Sequence, residues 1–225
     1  MNSRVLRRAA RVAGLPIVLP SRTESLPVGN GHSPHLRFAT ADHEISKLLA
    51  REVWRHPRGR LLDVGGGTGT PIRWMVGRYR VDALDIVPAV GVIVGDICER
   101  TPIPAETYEI VTSFGTYEHL RRPWRAAEET ARILKPGGLA TVKTVYSWRY
   151  HPTPTDYFRF SHAALESIFE DAGLDTIVSG YDLCHRREDR RGGKLEGGTD
   201  AAPVDELGGW RENWVVFYAG RKPTT

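Results

Sequence analysis

Cysteine is nearly missing from this sequence: Cys98 and Cys184 are its only two, and they lie far apart. That excludes a fold stapled by disulfides, and neither cysteine has the paired spacing of a zinc site or a redox motif. No metal is expected. Long apolar runs are missing too. The stretch Val12 to Leu19 is interrupted by Gly14 and Pro16 and falls far short of the ~20 residues that span a bilayer. Arg4, Arg7, Arg8 and Arg11 ahead of it imitate the start of a signal peptide, but no small-residue cleavage site follows. The reading is a cytoplasmic protein without membrane contact. Also absent is any aromatic-plus-basic RNA-binding motif. The net charge of +4 comes from scattered basic residues, so no nucleic-acid partner is expected.

Hydrophobic residues at 40% and charged residues at 26% are ordinary for a globular chain, and 225 residues suit one domain with a sizeable core. Residues 1–40, rich in arginine and then in proline and glycine, read as an arm or lid ahead of a domain spanning 41–225. Ile45, Leu48, Leu49 and Val53 recur at helical spacing and predict a helix to about Trp54, with Thr40 or Asp42 as its N-cap. Short apolar strands are predicted at Arg60–Val64, Val81–Ile86, Val90–Val94, Tyr108–Ser113 and Leu139–Val145. Helices are predicted around Ile72–Val76, over Pro123–Leu134 and from Ser161 to Gly173. Two late strands, near Thr176–Tyr181 and Asn213–Ala219, flank an insertion at about 186–209 that is rich in glycine and charge. Strand alternating with helix predicts an α/β fold, a mostly parallel sheet covered on both faces and closed by an antiparallel hairpin. The arm and the insertion have little to bury and are expected to be more mobile than the sheet.

The sharpest local signal is Asp63-Val64-Gly65-Gly66-Gly67-Thr68-Gly69-Thr70, placed where a strand gives way to a helix. Glycine there lets the backbone approach a ligand closely. Turns also use glycine for conformation alone, so the cluster needs its context. It lacks the lysine of a triphosphate loop, and its G-x-G-x-G spacing differs from the dinucleotide G-x-G-x-x-G, which disfavours a nicotinamide oxidoreductase. Sixteen positions past Gly69, at the end of the next strand, stands Asp85, a carboxylate able to accept hydrogen bonds from two ribose hydroxyls. Gly95-Asp96-Ile97 ends the third strand, and Phe114 to Leu120 follows the fourth. Polar groups thus gather at the carboxyl ends of parallel strands, where such sheets bind ligands.

These segments resemble the class I, Rossmann-like methyltransferases that depend on S-adenosylmethionine, whose runs read D-V-G-x-G-x-G, L-D, G-D, E-H and L-K-P-G-G. Here they are Asp63 to Gly69, Leu84-Asp85, Gly95-Asp96, Glu118-His119 and Leu134 to Gly138. The resemblance implies a seven-stranded sheet and S-adenosylmethionine as methyl donor, with S-adenosylhomocysteine as product. By it, Gly65, Gly66, Gly67 and Gly69 pass under the methionine part and Asp85 holds the ribose. Asp96 and the Ile97 backbone meet the adenine, and Asp63 supports the turn or the donor's amino group. Ile86 and Phe114 complete the cofactor candidates. One departure stands out: Asp96 comes only eleven positions after Asp85, where the family usually places a helix.

Methyl transfer is an in-line displacement that alignment alone can accelerate, so no base is obligatory. If the acceptor must lose a proton, His119 and His151 have the side chains suited to take it near neutral pH. Tyr117 and Glu118 beside His119 are substrate candidates, Tyr117 equally a packing residue. The stretch His151-Pro152-Thr153-Pro154-Thr155-Asp156-Tyr157-Phe158-Arg159-Phe160 resembles the H-P-x-P-x-D-Y-x-R-F loop of a methyltransferase subgroup. It adds Asp156, Tyr157 and Arg159 to the substrate side; Arg159 either grips an anionic group or ties the loop down through Asp156. The leading expectation is methylation of an oxygen or nitrogen of a small molecule, a sugar or secondary metabolite. The alternatives are RNA or protein methylation, assisted by the basic arm, and a non-catalytic module that binds S-adenosylmethionine.

Overall fold

A computed structural model describes residues 41–67, 79–148, 150–152, 154–186 and 212–224. The predicted arm, the insertion, Gly69 and the helix predicted around Ile72–Val76 fall outside them. Seven strands form one sheet: β1 (Arg60–Val64), β2 (Arg80–Asp85), β3 (Val92–Val94), β4 (Tyr108–Phe114), β5 (Leu134–Ser147), β6 (Asp175–Arg186) and β7 (Glu212–Arg221). Their spatial order is β3-β2-β1-β4-β5-β7-β6. The first five run parallel, and β7 runs antiparallel to both β5 and β6, which makes β6 and β7 the closing antiparallel pair. The fold is the Rossmann-like α/β architecture expected from the sequence, with a seven-stranded sheet. Chain order reverses at β1, whose neighbours are β2 and β4, so the carboxyl end of β1 lies at the sheet's switch point.

Consecutive strand residues point to opposite faces, and both faces are buried. Leu62, Val111 and Ala140 join one core with Ala126, Ala127 and Ala131 of α2 (Pro123–Ile133) and with Leu165 and Phe169 of α3 (His162–Asp171). Their neighbours Leu61, Ile110 and Leu139 turn the other way, onto Ile45, Leu48 and Leu49 of α1 (Ala41–Arg55). Glu52 extends that apolar stripe of α1 yet is buried, and its Oε1 accepts Arg221 Nη2 at 2.6 Å. The pair pins the helix to the end of β7. Across the sheet, Phe169 stacks on Tyr218 with ring centroids 4.5 Å apart. Ser161 caps α3 by accepting the Ala164 N–H, and Gly173 ends it in the left-handed conformation that glycine tolerates.

Three elements differ from the sequence expectation. Strand β5 begins at Leu134, immediately after α2, because Leu134 already pairs with Tyr108; the ladder then shifts register and resumes at Ile110 and Leu139. Gly137, at φ +76, carries the chain through that irregularity, and its N–H is taken by the Lys222 carbonyl. Strands β6 and β7 are longer than periodicity suggested, since each finds a full-length partner in the other. Between β2 and β3, by contrast, the structure agrees with what the short spacing from Asp85 to Asp96 implies: there is no helix, and Ile86 to Gly91 make a short connection closed by the Val92 N–H on the Ala89 carbonyl. Among the described residues no helix is long and apolar enough to cross a membrane.

Candidate cofactor and acceptor site

The glycine turn is built against two side chains. Gly65, at φ +75, donates its N–H to the Leu84 carbonyl of β2. A Cβ on Gly66 would stand 2.0 Å from Asp63 Oδ2, so the backbone lies directly on that carboxylate. Asp63 is buried at the end of β1, and its Oδ1 accepts the Thr112 hydroxyl from β4. A Cβ on Gly65 would meet Thr116 Oγ1 at 2.3 Å. Thr116 and Ser113 both donate to the Val64 carbonyl, which closes the turn against the segment after β4. Gly67 has open space where its side chain would be, and its N–H donates to Asp85 Oδ2 at 3.1 Å.

Asp85 thus bridges the end of β2 to the glycine turn. Its Oδ1 accepts the Val87 N–H at 2.9 Å. A carboxylate has about four acceptor positions, so two remain for a ligand's hydroxyls. Asp96 is exposed, and its Oδ1 accepts the Cys98 N–H at 2.8 Å, which shapes the turn after β3. The Ile97 side chain is buried, leaving its backbone for a ligand. Ile86 is exposed beside Asp85, and Phe114 lies half-buried at the end of β4 with Lys143 Nζ 5.6 Å from its ring centre. Burial pushes the nearby Cys98 thiol up to about 11, so it stays protonated near neutrality.

Beyond β4 a single 3₁₀ turn, Tyr117–His119, splits its side chains between core and site. Tyr117 goes to the core, between Phe160 and Phe169, and burial raises the pKa of its hydroxyl. It therefore does not face the site, contrary to the substrate-side expectation: a one-residue step around a tight helix sends adjacent side chains in different directions. Glu118 is also buried, but its Oε2 accepts the Thr144 hydroxyl of β5 at 2.6 Å and its Oε1 lies 3.8 Å from His151 Nε2. The Glu118 carbonyl accepts the N–H groups of Tyr157 and Phe158, stitching the loop after β5 onto the turn after β4.

His119 Nδ1 is 2.8 Å from the Thr155 carbonyl. A carbonyl only accepts, which assigns the proton to Nδ1 and leaves Nε2 unprotonated in the neutral ring. The His119 and His151 rings meet edge to face, centroids 4.9 Å apart. His151 Nδ1 lies 3.3 Å from Asp156 Oδ2, an oxygen that also accepts the His151 backbone N–H. Arg159 grips both oxygens of Asp156, at 2.5 and 2.7 Å, and donates to the carbonyls of Trp148 and Phe158. The guanidinium holds the Asp156 carboxyl down to about 2. Its contacts are those of a residue tying the loop down. Tyr157 is exposed on the same loop.

The structure therefore brings Glu118, His119, His151 and Asp156 together and leaves Tyr117 out. It adds two residues the sequence reading passed over, Thr144 and Thr116. Their one signal was a hydroxyl at or just past the end of an apolar strand. A shallow concavity of about 380 Å³ lined by His56 to Gly59 and Glu109 lies at the amino ends of β1 and β4, away from these groups. Parallel sheets bind ligands at the opposite edge.

Comparison with known proteins follows the same outline. Residues 35–179 match the family described as methyltransferase domain. A chloroplastic 2-methyl-6-phytyl-1,4-hydroquinone methyltransferase of Oryza sativa is 32% identical over 119 residues, 46% of this chain and 36% of that protein. A malonyl-[acyl-carrier protein] O-methyltransferase of Methylococcus capsulatus is 29% identical over 126 residues, 47% of this chain and 45% of its own. The matched stretch thus spans less than half of either relative. Among solved structures, a 1,6-didemethyltoxoflavin-N1-methyltransferase of Burkholderia thailandensis, bound to its substrate and S-adenosylhomocysteine, superposes with a TM-score of 0.53 at 16% identity. That match covers 81% of this chain and 78% of the other, a likeness of fold.

Proposed function

The chain belongs to the methyltransferase-domain family, and from that premise we propose that it is an enzyme moving a methyl group from S-adenosylmethionine to an oxygen or nitrogen of a small molecule by in-line displacement. The observation that carries this reading is the shared wall between its two halves. The glycine turn closes on Thr116, and two residues later the same segment presents Glu118 and His119. Donor and acceptor groups then meet across one turn, as in-line transfer requires.

The residues suit the donor. Asp85 keeps two acceptor positions for the ribose hydroxyls, and Gly65 to Gly67 bring bare backbone to the methionine part. On this reading Asp96 and the Ile97 backbone meet the adenine, Ile86 and Phe114 complete the cofactor side, and Asp63 underpins the turn. When bound, S-adenosylmethionine supplies a methyl carbon already activated by a sulfonium. The chain's own task is alignment and, for an acceptor that must lose a proton, its removal at His119 Nε2 or at His151. Loop residues His151 to Phe160, fastened to Glu118, form the acceptor side, the mark of the H-P-x-P-x-D-Y-x-R-F subgroup. A buried free Cys98 fits a cytoplasmic setting.

Calorimetry with S-adenosylhomocysteine and with NAD tests the donor. One equivalent of S-adenosylhomocysteine and no NAD binding is expected; the reverse overturns the reading.

A further inference from the structure

The cluster after β4 and β5 has a property that alignment of a methyl group does not need. One carboxylate oxygen of Glu118 and one ring nitrogen each of His119 and His151 lie within 4.8 Å of one another. Each of the three side chains also has a polar atom against a separate protein group. His119 Nδ1 is on the Thr155 carbonyl at 2.8 Å, His151 Nδ1 is beside Asp156 at 3.3 Å, and Glu118 Oε2 is on the Thr144 hydroxyl at 2.6 Å. This is how metal-ligating histidines and carboxylates are oriented: the far atom is fixed so that the near one keeps its lone pair for the ion.

The three ligand atoms, within 4.8 Å of one another, must draw together to hold a small ion. Ligand atoms about 2.0–2.1 Å from a tetrahedral zinc ion lie about 3.3 Å from each other. His151 Nε2 and Glu118 Oε1, 3.8 Å apart, need to close by only a fraction of an ångström. We infer that Glu118, His119 and His151 bind one divalent transition-metal ion of the zinc class. Two imidazoles with one carboxylate favour zinc over magnesium or calcium, which take oxygen ligands. No spacing in the sequence announced the site, because His151 joins the adjacent Glu118 and His119 only when Tyr157 and Phe158 dock on the Glu118 carbonyl.

Three protein ligands leave a fourth position for an outside oxygen. A hydroxyl bound there would be acidified, as zinc lowers bound water from 15.7 to about 7, and would lose its proton to solvent; its oxygen could then take the methyl as the S–CH₃ bond breaks, leaving S-adenosylhomocysteine. This narrows the acceptor to a molecule with an ionisable hydroxyl. That step rests on the methyltransferase reading, whereas binding of the ion does not. With the ion in place the two histidines are ligands, so zinc stoichiometry separates this role from that of a base.

The test uses the full chain, stripped with a chelator and reloaded. Zinc content by mass spectrometry and the visible spectrum of the cobalt-substituted protein are measured for wild type, His119→Gln, His151→Gln and Thr144→Val, with melting curves to verify folding. One zinc per chain is expected, with affinity at least about 100-fold lower in each histidine variant and about 10–100-fold lower in Thr144→Val. No zinc in the wild type, or unchanged affinity in folded histidine variants, overturns the site. Zinc binding without any S-adenosylhomocysteine binding would leave the site standing and sink the donor reading instead.

Discussion

The two halves of the site are held by different parts of the chain. On the β1–β2 side, Asp85 and Asp96 are fixed by backbone N–H groups, at Gly67 and Val87 and at Cys98. On the β4–β5 side the fixing is done largely by side chains: Thr144 of β5 on Glu118, and Arg159 and His151 of the same loop on Asp156. Backbone donors are present whatever the side chains, so the donor half can stay generic across the fold. Side-chain networks change with single residues, so on the proposed reading specificity belongs to the β4–β5 half.

The largest effect that would sharpen this contrast is on turnover. His119→Asn or His151→Asn should each depress turnover about 10²–10⁴-fold while S-adenosylhomocysteine affinity by calorimetry stays near wild type. If turnover is normal in both, catalysis is by positioning alone and the acceptor half is merely structural. Asp85→Ala should do the opposite. It should weaken S-adenosylhomocysteine binding by about 1.5–3 kcal/mol, the scale of a hydrogen bond to a charged group, in a protein that still folds.

Gly66→Ala probes the backbone side more gently. A methyl group 2.0 Å from Asp63 Oδ2 forces the turn or the carboxylate to move. A loss of about 1–3 kcal/mol in denaturant unfolding is expected, as for other overpacked sites. An unchanged midpoint would mean that the turn is not seated on Asp63.

The smallest effect concerns acid. Asp156 has its carboxyl lowered from the ordinary 3.8 to about 2, chiefly by Arg159. A depressed carboxyl stabilises the folded state above its unfolded value, and that contribution fades as pH falls through the folded one. Wild-type protein should therefore lose more thermal stability between pH 4 and pH 2 than Asp156→Asn, while keeping its full advantage over that variant near neutrality. Parallel curves would show that the loop is not anchored there.

The same contrast explains what could be read from the sequence. Asp63 to Gly69, Asp85 and Asp96 stand at the ends of strands in chain order, so periodicity and glycine spacing exposed them directly. Loss of the helix between β2 and β3 was legible too, since eleven positions from Asp85 to Asp96 leave no room for one. The acceptor half was legible only as separate pieces. Tyr117 stayed open between substrate and packing because a 3₁₀ turn sends it and Glu118 in different directions, and no local pattern fixes which one enters the core. Thr144 was invisible because, in a buried strand, a threonine reads as a β-branched filler until Glu118 lies beside it.

The most direct test of the central claim is a crystal structure of the full chain with S-adenosylhomocysteine. The expected result is density for the nucleoside with both ribose hydroxyls within hydrogen-bond distance of Asp85, and the homocysteine part over Gly65 to Gly67, its sulfur directed toward His119 and His151. A nucleoside bound elsewhere, or bound with Asp85 making no contact to the ribose, would contradict it.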